Sequence, residues 1–105
     1  MSVLINTKDE LKKIILLHQN ELKNLGVIKL GFFGSFARNE VTAESDIDFF
    51  VEFNPHDKTL KNFIGFSTLL RALTGRKIEI VTPQSLNKFT GKYILKEVEY
   101  VALAA

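Results

Sequence analysis

A strand that stops at Gly34-Ser35, and a second strand that opens on Asp46-Ile47-Asp48 after ten intervening residues, dictate most of what this chain can become. Side chains at i and i+2 of a strand leave the same face, so Asp46 and Asp48 lie side by side once that strand forms. At ~5 Å and an effective dielectric of ~20 their repulsion is roughly 3 kcal/mol, a sizeable part of the stability of a small fold. A bound cation removes that cost, and Mg²⁺ prefers carboxylate together with phosphate oxygens. The Gly-Ser turn is suited to supply the phosphate. Val27, Ile28, Leu30, Phe32 and Phe33 read as a buried strand, and Phe36-Ala37-Arg38 makes a helical turn just after it. Free N–H groups of that turn, the Ser35 hydroxyl and the missing side chain of Gly34 let a polyphosphate approach the backbone.

The second strand, Asp46 to Phe53, alternates: Ile47, Phe49, Val51 and Phe53 form its core face, and Asp46, Asp48, Phe50 and Glu52 the other. Glu52 lies about 13 Å from Asp48 along the strand, too far to share a metal. Lys77-Ile78-Glu79-Ile80-Val81 reads as a third strand with Glu79 alone among apolar neighbours. An isolated acid there is costly unless paired or metal-bound, so Glu79 is taken as a third acidic ligand.

Helices fill the intervals. Thr7 and Glu10 form a capping-box pattern, after which Leu11, Ile14, Ile15, His18, Leu22 and Leu25 fall on one helical face that ends at Gly26. His18 is read as a core or half-buried histidine and not a ligand, and Leu16 as exposed. Asn54-Pro55-His56-Asp57 is a turn with a solvated His56, and Phe63, Phe66, Leu70 and Leu73 make the stripe of a second helix closing at Gly75. A last helix is expected from about Lys92, with Ile94, Val98 and Val101 inward, and Lys88, Lys92 and Lys96 on a solvated ridge. Tyr93 and Tyr100 share another face, which with Leu103 offers a surface for a partner or a homodimer. Phe36 is expected to be buried against the sheet rather than stacked on a base.

At 105 residues and 46% hydrophobic content the chain is expected to form one domain, residues 1–105, with one core. It has no cysteine, which excludes disulfides and thiolate zinc sites and suits a reducing cytoplasm. No apolar run has transmembrane length and the first residues lack a secretion signal, so a cytoplasmic protein without a membrane partner is expected. A net charge of +2 with mixed signs leaves no strong footprint for direct nucleic-acid binding.

Gly34-Ser35-Phe36-Ala37-Arg38, Ser45-Asp46-Ile47-Asp48 and Gly75-Arg76-Lys77-Ile78-Glu79-Ile80-Val81-Thr82 together resemble the DNA polymerase beta-type nucleotidyltransferase superfamily. Size and layout look like its minimal nucleotidyltransferases (MNT), many of which act as antitoxins beside HEPN-domain ribonuclease toxins. The resemblance implies a small α/β nucleotidyltransferase domain with a mixed three- to four-stranded sheet, helices mainly on one face and the acidic site on the opposite, more open face. It also implies ATP as substrate and two Mg²⁺ ions held by Asp46, Asp48 and Glu79, the last standing where aspartate is usual. Gly34 and Ser35 then hold the nucleotide phosphates, with Arg38 as a charge-neutralising contact and Ser45 beside the acids in the nucleotide site. Asn39 stands where the family often has glycine. The implied activity is transfer of AMP from ATP to a tyrosine hydroxyl of a cognate HEPN toxin. Two alternatives stay open: a non-catalytic antitoxin that binds its partner stoichiometrically, and a catalytic subunit that modifies RNA or a small molecule.

Overall fold

The computed structural model describes residues 4–104. Thr7 opens helix α1 (Lys8–Leu17) through a complete capping box: its hydroxyl accepts from the Glu10 N–H, and the Glu10 carboxylate accepts from the Thr7 N–H, both at 3.1 Å. Two donors orphaned by the helix start are satisfied in this way. The expected single helix is in fact two. The chain leaves helical geometry at His18 (φ −111°, ψ 20°) and restarts as α2 (Gln19–Asn24), with no glycine or proline to announce the break. Leu11, Ile15 and Leu22 remain fully buried across it, and Leu16 is exposed. His18 is half-buried with Nδ1 2.6 Å from Glu21 Oε1.

Four strands form a mixed sheet ordered β3-β2-β1-β4. Strands β1 (Val27–Phe33) and β2 (Ile47–Phe53) pair antiparallel at its centre. Helix α3 (Leu60–Thr74) carries the chain over to β3 (Ile78–Val81), which runs parallel to β2, as a parallel neighbour requires. Thr59 caps the start of α3 by accepting from the Asn62 N–H at 3.1 Å, and Gly75 ends it in the left-handed region at φ 71°. The inward faces of β1 and β2 contribute Leu30, Phe32, Ile47, Phe49 and Val51 to the core, against Phe66 and Leu70 of α3. Phe66 meets both Phe49 and Phe53 edge-on, with ring centroids 5.9 Å apart in each case. Phe63, the expected first member of that stripe, lies at the rim and is 38% exposed.

The C-terminal segment departs most from expectation. Helix α4 covers only Gly91–Glu97; Val98 turns extended (φ −59°, ψ 128°), and Glu99–Val101 is strand β4, antiparallel to β1. Ile94, Val98 and Val101 therefore share no helical face, and Val101 reaches the core from a strand. Lys88 precedes α4, so the three-lysine ridge does not form on one helix. Tyr93 and Tyr100 also part: Tyr93 is exposed on α4, whereas Tyr100 packs edge-on against Phe50 at 6.3 Å, under the Lys29 ammonium at 4.5 Å. Leu103 is partly buried and packs against the core.

Arg76 is the buried charge that joins these parts. It is 6% exposed and donates from Nε to the Ile5 carbonyl at 2.6 Å, from Nη1 to the Thr42 and Ser45 carbonyls at 2.9 and 2.8 Å, and from Nη2 to Asn6 Oδ1 at 3.0 Å. Its guanidinium also lies 5.3 Å from the ring centroid of buried Phe36. Arg76→Ala leaves those acceptors unpaired inside the fold, with an expected loss of about 3 kcal/mol and a fall of roughly 10–20 °C in Tm. Arg76→Lys should recover only a minor part, because an ammonium cannot fork to the same acceptors. Thermal melts of the two variants check both statements; a loss under ~3 °C for Arg76→Ala would contradict them.

Candidate active site

Strand register builds the site. Asp48 is the partner of Phe33 across the antiparallel pair and of Glu79 across the parallel pair, so Phe33, Asp48 and Glu79 form one row over three strands on the face opposite the core. The residue that follows β1 is Gly34, at φ +71°, where a side chain is strained. A Cβ placed there would meet Asp48 Oδ2 at 2.2 Å. Glycine is thus demanded twice over, by conformation and by the closeness of turn backbone and carboxylate.

Beyond Gly34 the chain makes one α-turn rather than a helix. The Arg38 N–H donates to the Gly34 carbonyl at 3.1 Å and the Glu40 N–H to the Ser35 carbonyl at 2.8 Å. Asn39, where the resemblance implies glycine, takes φ 58° and is the one non-glycine residue with positive φ among those described. Asparagine tolerates that region better than most residues, so the exchange preserves the turn. Phe36 is fully buried beneath the turn, as expected. From the other side, Lys8 Nζ donates to the Ala37 carbonyl at 2.9 Å and pairs with Glu99 at 2.9 Å; Lys12 also pairs with Glu99. Those two ammonium groups, Lys12 first, hold the Glu99 carboxyl below its ordinary range. The Gly34–Arg38 turn is therefore braced by α1 and β4 together.

Electrostatics separate the members of the expected site. Asp48 is half-buried and its pKa is pushed up to about 6, first by burial and then by Glu79, Asp46 and Glu97. Asp46 is exposed, just before the first residue of β2. The structure thus brings Asp48 and Glu79 together and leaves Asp46 beside them; among the described residues no three His, Asp or Glu side chains close on a single point. The Ser35 hydroxyl has no partner among the described residues. Within its loop the Ser45 hydroxyl accepts from the Thr42 N–H at 2.8 Å, and its carbonyl accepts from Arg76. Arg38 donates from Nε to Glu40 and from Nη1 to Glu97 Oε1 at 2.9 Å, and its pKa is raised, chiefly by Glu40. The Gly34 N–H donates to the same Glu97 oxygen.

Two residues here escaped the sequence reading. Nothing in Gly75-Arg76-Lys77 distinguishes the buried cation from the exposed one beside it. Glu97 has one faint signal, a carboxylate at the C-terminal end of a helix, where the macrodipole favours cations.

Comparisons with known proteins bear on the family and the fold. The profile of the Nucleotidyltransferase domain family matches residues 8–101. Protein adenylyltransferase MntA of Thermococcus cleftensis is 38% identical over 96 residues, covering 90% of this chain and 96% of that protein. A proposed protein adenylyltransferase of Methanocaldococcus jannaschii is 33% identical over 100 residues, covering 92% of this chain and 100% of its own. Among solved structures, a proposed minimal nucleotidyltransferase superposes with a TM-score of 0.76 at 25% identity, over 89% of this chain and 94% of its own. A toxin-antitoxin crystallised with AMP-PNP shares the fold with a TM-score of 0.63 at 15% identity, over 92% of this chain and 73% of its own. The chain belongs to the nucleotidyltransferase domain family and has the fold of its minimal members.

A raised carboxyl pKa has a defined thermodynamic sign. The folded state holds the Asp48 proton more tightly than the unfolded chain, so stability falls as pH rises from about 4 through 6 and stays lowered above it. Allowing for screening of a half-exposed group, the cost at neutral pH is about 1–2 kcal/mol. In chelator, Asp48→Asn is expected to raise Tm at pH 7.5 by roughly 5–10 °C, with no gain at pH 4. Mg²⁺ should raise the Tm of the parent chain at pH 7.5 and leave that of the variant nearly unchanged. A variant that melts lower at pH 7.5 would contradict this account of the site.

Proposed function

We propose that this nucleotidyltransferase is the antitoxin of a HEPN/MNT pair and neutralises its toxin by moving AMP from ATP onto a tyrosine hydroxyl of that partner. The contact between Gly34 and Asp48 carries the reading, because it sets an anion-receptive turn directly against a desolvated carboxylate. Support for protein as acceptor comes from the relative named a protein adenylyltransferase, and for a toxin partner from the neighbour solved as a toxin-antitoxin.

The donor set suits Mg²⁺. Every candidate ligand is a carboxylate oxygen, and negative neighbours with burial destabilise the charged form of Asp48, which a hard cation would relieve. Asp46, Asp48 and Glu79 would hold the ions, two if the superfamily pattern applies, and the bound metal would stabilise charge on the transferring phosphoryl group. The chain's own residues do the rest. Gly34 N–H, the Ser35 hydroxyl and Arg38 receive the phosphates, while Ser45 and Arg76 hold the loop that presents Asp46. The tyrosine oxygen attacks the α-phosphorus, the bond to the pyrophosphate oxygen breaks, pyrophosphate leaves, and the hydroxyl proton passes to the Asp48–Glu79 pair. Glu79 reaches one methylene further than aspartate, which fits a proton acceptor at the edge of the site. AMP on the toxin adds bulk and negative charge where an RNA phosphate backbone must approach.

Labelled ATP, Mg²⁺, the purified chain and the toxin encoded beside it provide the test. The label is expected on the toxin, and Asp46→Ala/Asp48→Ala should reduce its incorporation at least about a thousandfold. No label on the partner with both proteins folded contradicts the proposal, and label confined to RNA or a metabolite redirects it. Neutralisation that survives the double variant would assign the antitoxin a purely stoichiometric role.

A further inference from the structure

The anion-receptive turn already holds an anion. Glu97 Oε1 accepts from the Gly34 N–H and from Arg38 Nη1 at once, although 63 residues separate it from Gly34. One oxygen shared between a backbone amide and a guanidinium is the arrangement expected of a bound phosphate oxygen. Local helix physics does not favour a carboxylate there: Glu97 is the last residue of α4, where the macrodipole repels it, and Asp48 adds like charge nearby. Its position rests on the two contacts with the turn. Both ends of the ion pair keep solvent access, with 51% of the Arg38 and 33% of the Glu97 side chain exposed, so the contact can open without unfolding the core.

We propose that Glu97 is an internal stand-in for phosphate that sets the nucleotide affinity of this site: it occupies the Gly34–Arg38 turn in the free protein and must swing out before a nucleotide phosphate can enter. This rests on the reading of that turn as the phosphate seat. A ligand that binds only the open form has its affinity reduced by the open fraction. Because Glu97 leads through Val98 directly into β4, its release also frees the last turn of α4 to move.

Calorimetric titration of Mg²⁺ and a non-hydrolysable ATP analogue into the parent chain, Glu97→Gln and Glu97→Asp provides the test. Glu97→Gln removes the competing charge. Glu97→Asp keeps the charge but is one methylene too short for the Gly34 N–H. Both are expected to bind about 3–10-fold tighter than the parent. Parent-like binding by Glu97→Asp beside a tighter Glu97→Gln would show general repulsion instead of occupancy and overturn the proposal. Weaker binding by both would overturn it in favour of Glu97 as a ligand of the cation or nucleotide. If the parent binds and neither variant differs, the stand-in is wrong while the phosphate seat survives; absence of binding in all three folded proteins removes both. Circular dichroism and thermal melts establish that each variant is folded.

Discussion

Contact between the Gly34 backbone and the Asp48 carboxylate is the constraint to which the rest of this molecule answers. It exists because β1 and β2 pair in a register that sets Phe33 across from Asp48, so the turn leaving β1 must pass over that side chain. A slip of one residue would send the acids into the core and the hydrophobic face of β2 into water. Phe49, Val51 and Phe53 on the buried side therefore guard the site's geometry as well as the fold's stability.

Charges hold the surrounding loops in place, and they divide into two kinds. Arg76, buried and fully hydrogen-bonded, ties the chain before α1 to the loop that leads into Asp46. Lys8 and Lys12, more exposed, brace β4 and the turn after β1 through Ala37 and Glu99. Against them stands a set of acids, Asp46, Asp48, Glu79 and Glu97, of which Glu97 pairs with Arg38 while burial and the neighbouring acids hold the Asp48 carboxyl above its ordinary range. Clusters of that sort are uncommon where stability alone is selected and frequent where a metal or phosphate chemistry is. A cavity of about 470 Å³ lined by Val27, Ile28, Asn54 and Asp57 is formed by other residues than those of the site.

Features carried by local patterns were legible in the sequence. The bounds of β1, the capping box at Thr7, the burial of Phe36 and the stop at Gly75 follow from alternation, cap chemistry and glycine conformation, all of which act over a few residues. The pairing of Asp48 with Glu79 was also within reach, since both lie on short strands with clear periodicity. What failed was decided at longer range. Ile94, Val98 and Val101 fit a helical spacing, yet pairing with β1 draws Glu99–Val101 into the sheet. The break at His18 leaves the apolar spacing intact and so leaves no trace in it. Arg76 and Glu97 act through partners tens of residues away, which no local pattern encodes.

A structure with Mg²⁺ and a non-hydrolysable ATP analogue tests the central claim most directly. The account predicts a metal ligated by Asp48 and Glu79, a phosphate oxygen on the Gly34 N–H, and Glu97 turned away from Arg38. Nucleotide bound elsewhere, with Gly34 still donating to Glu97 and no metal on the acids, would contradict it.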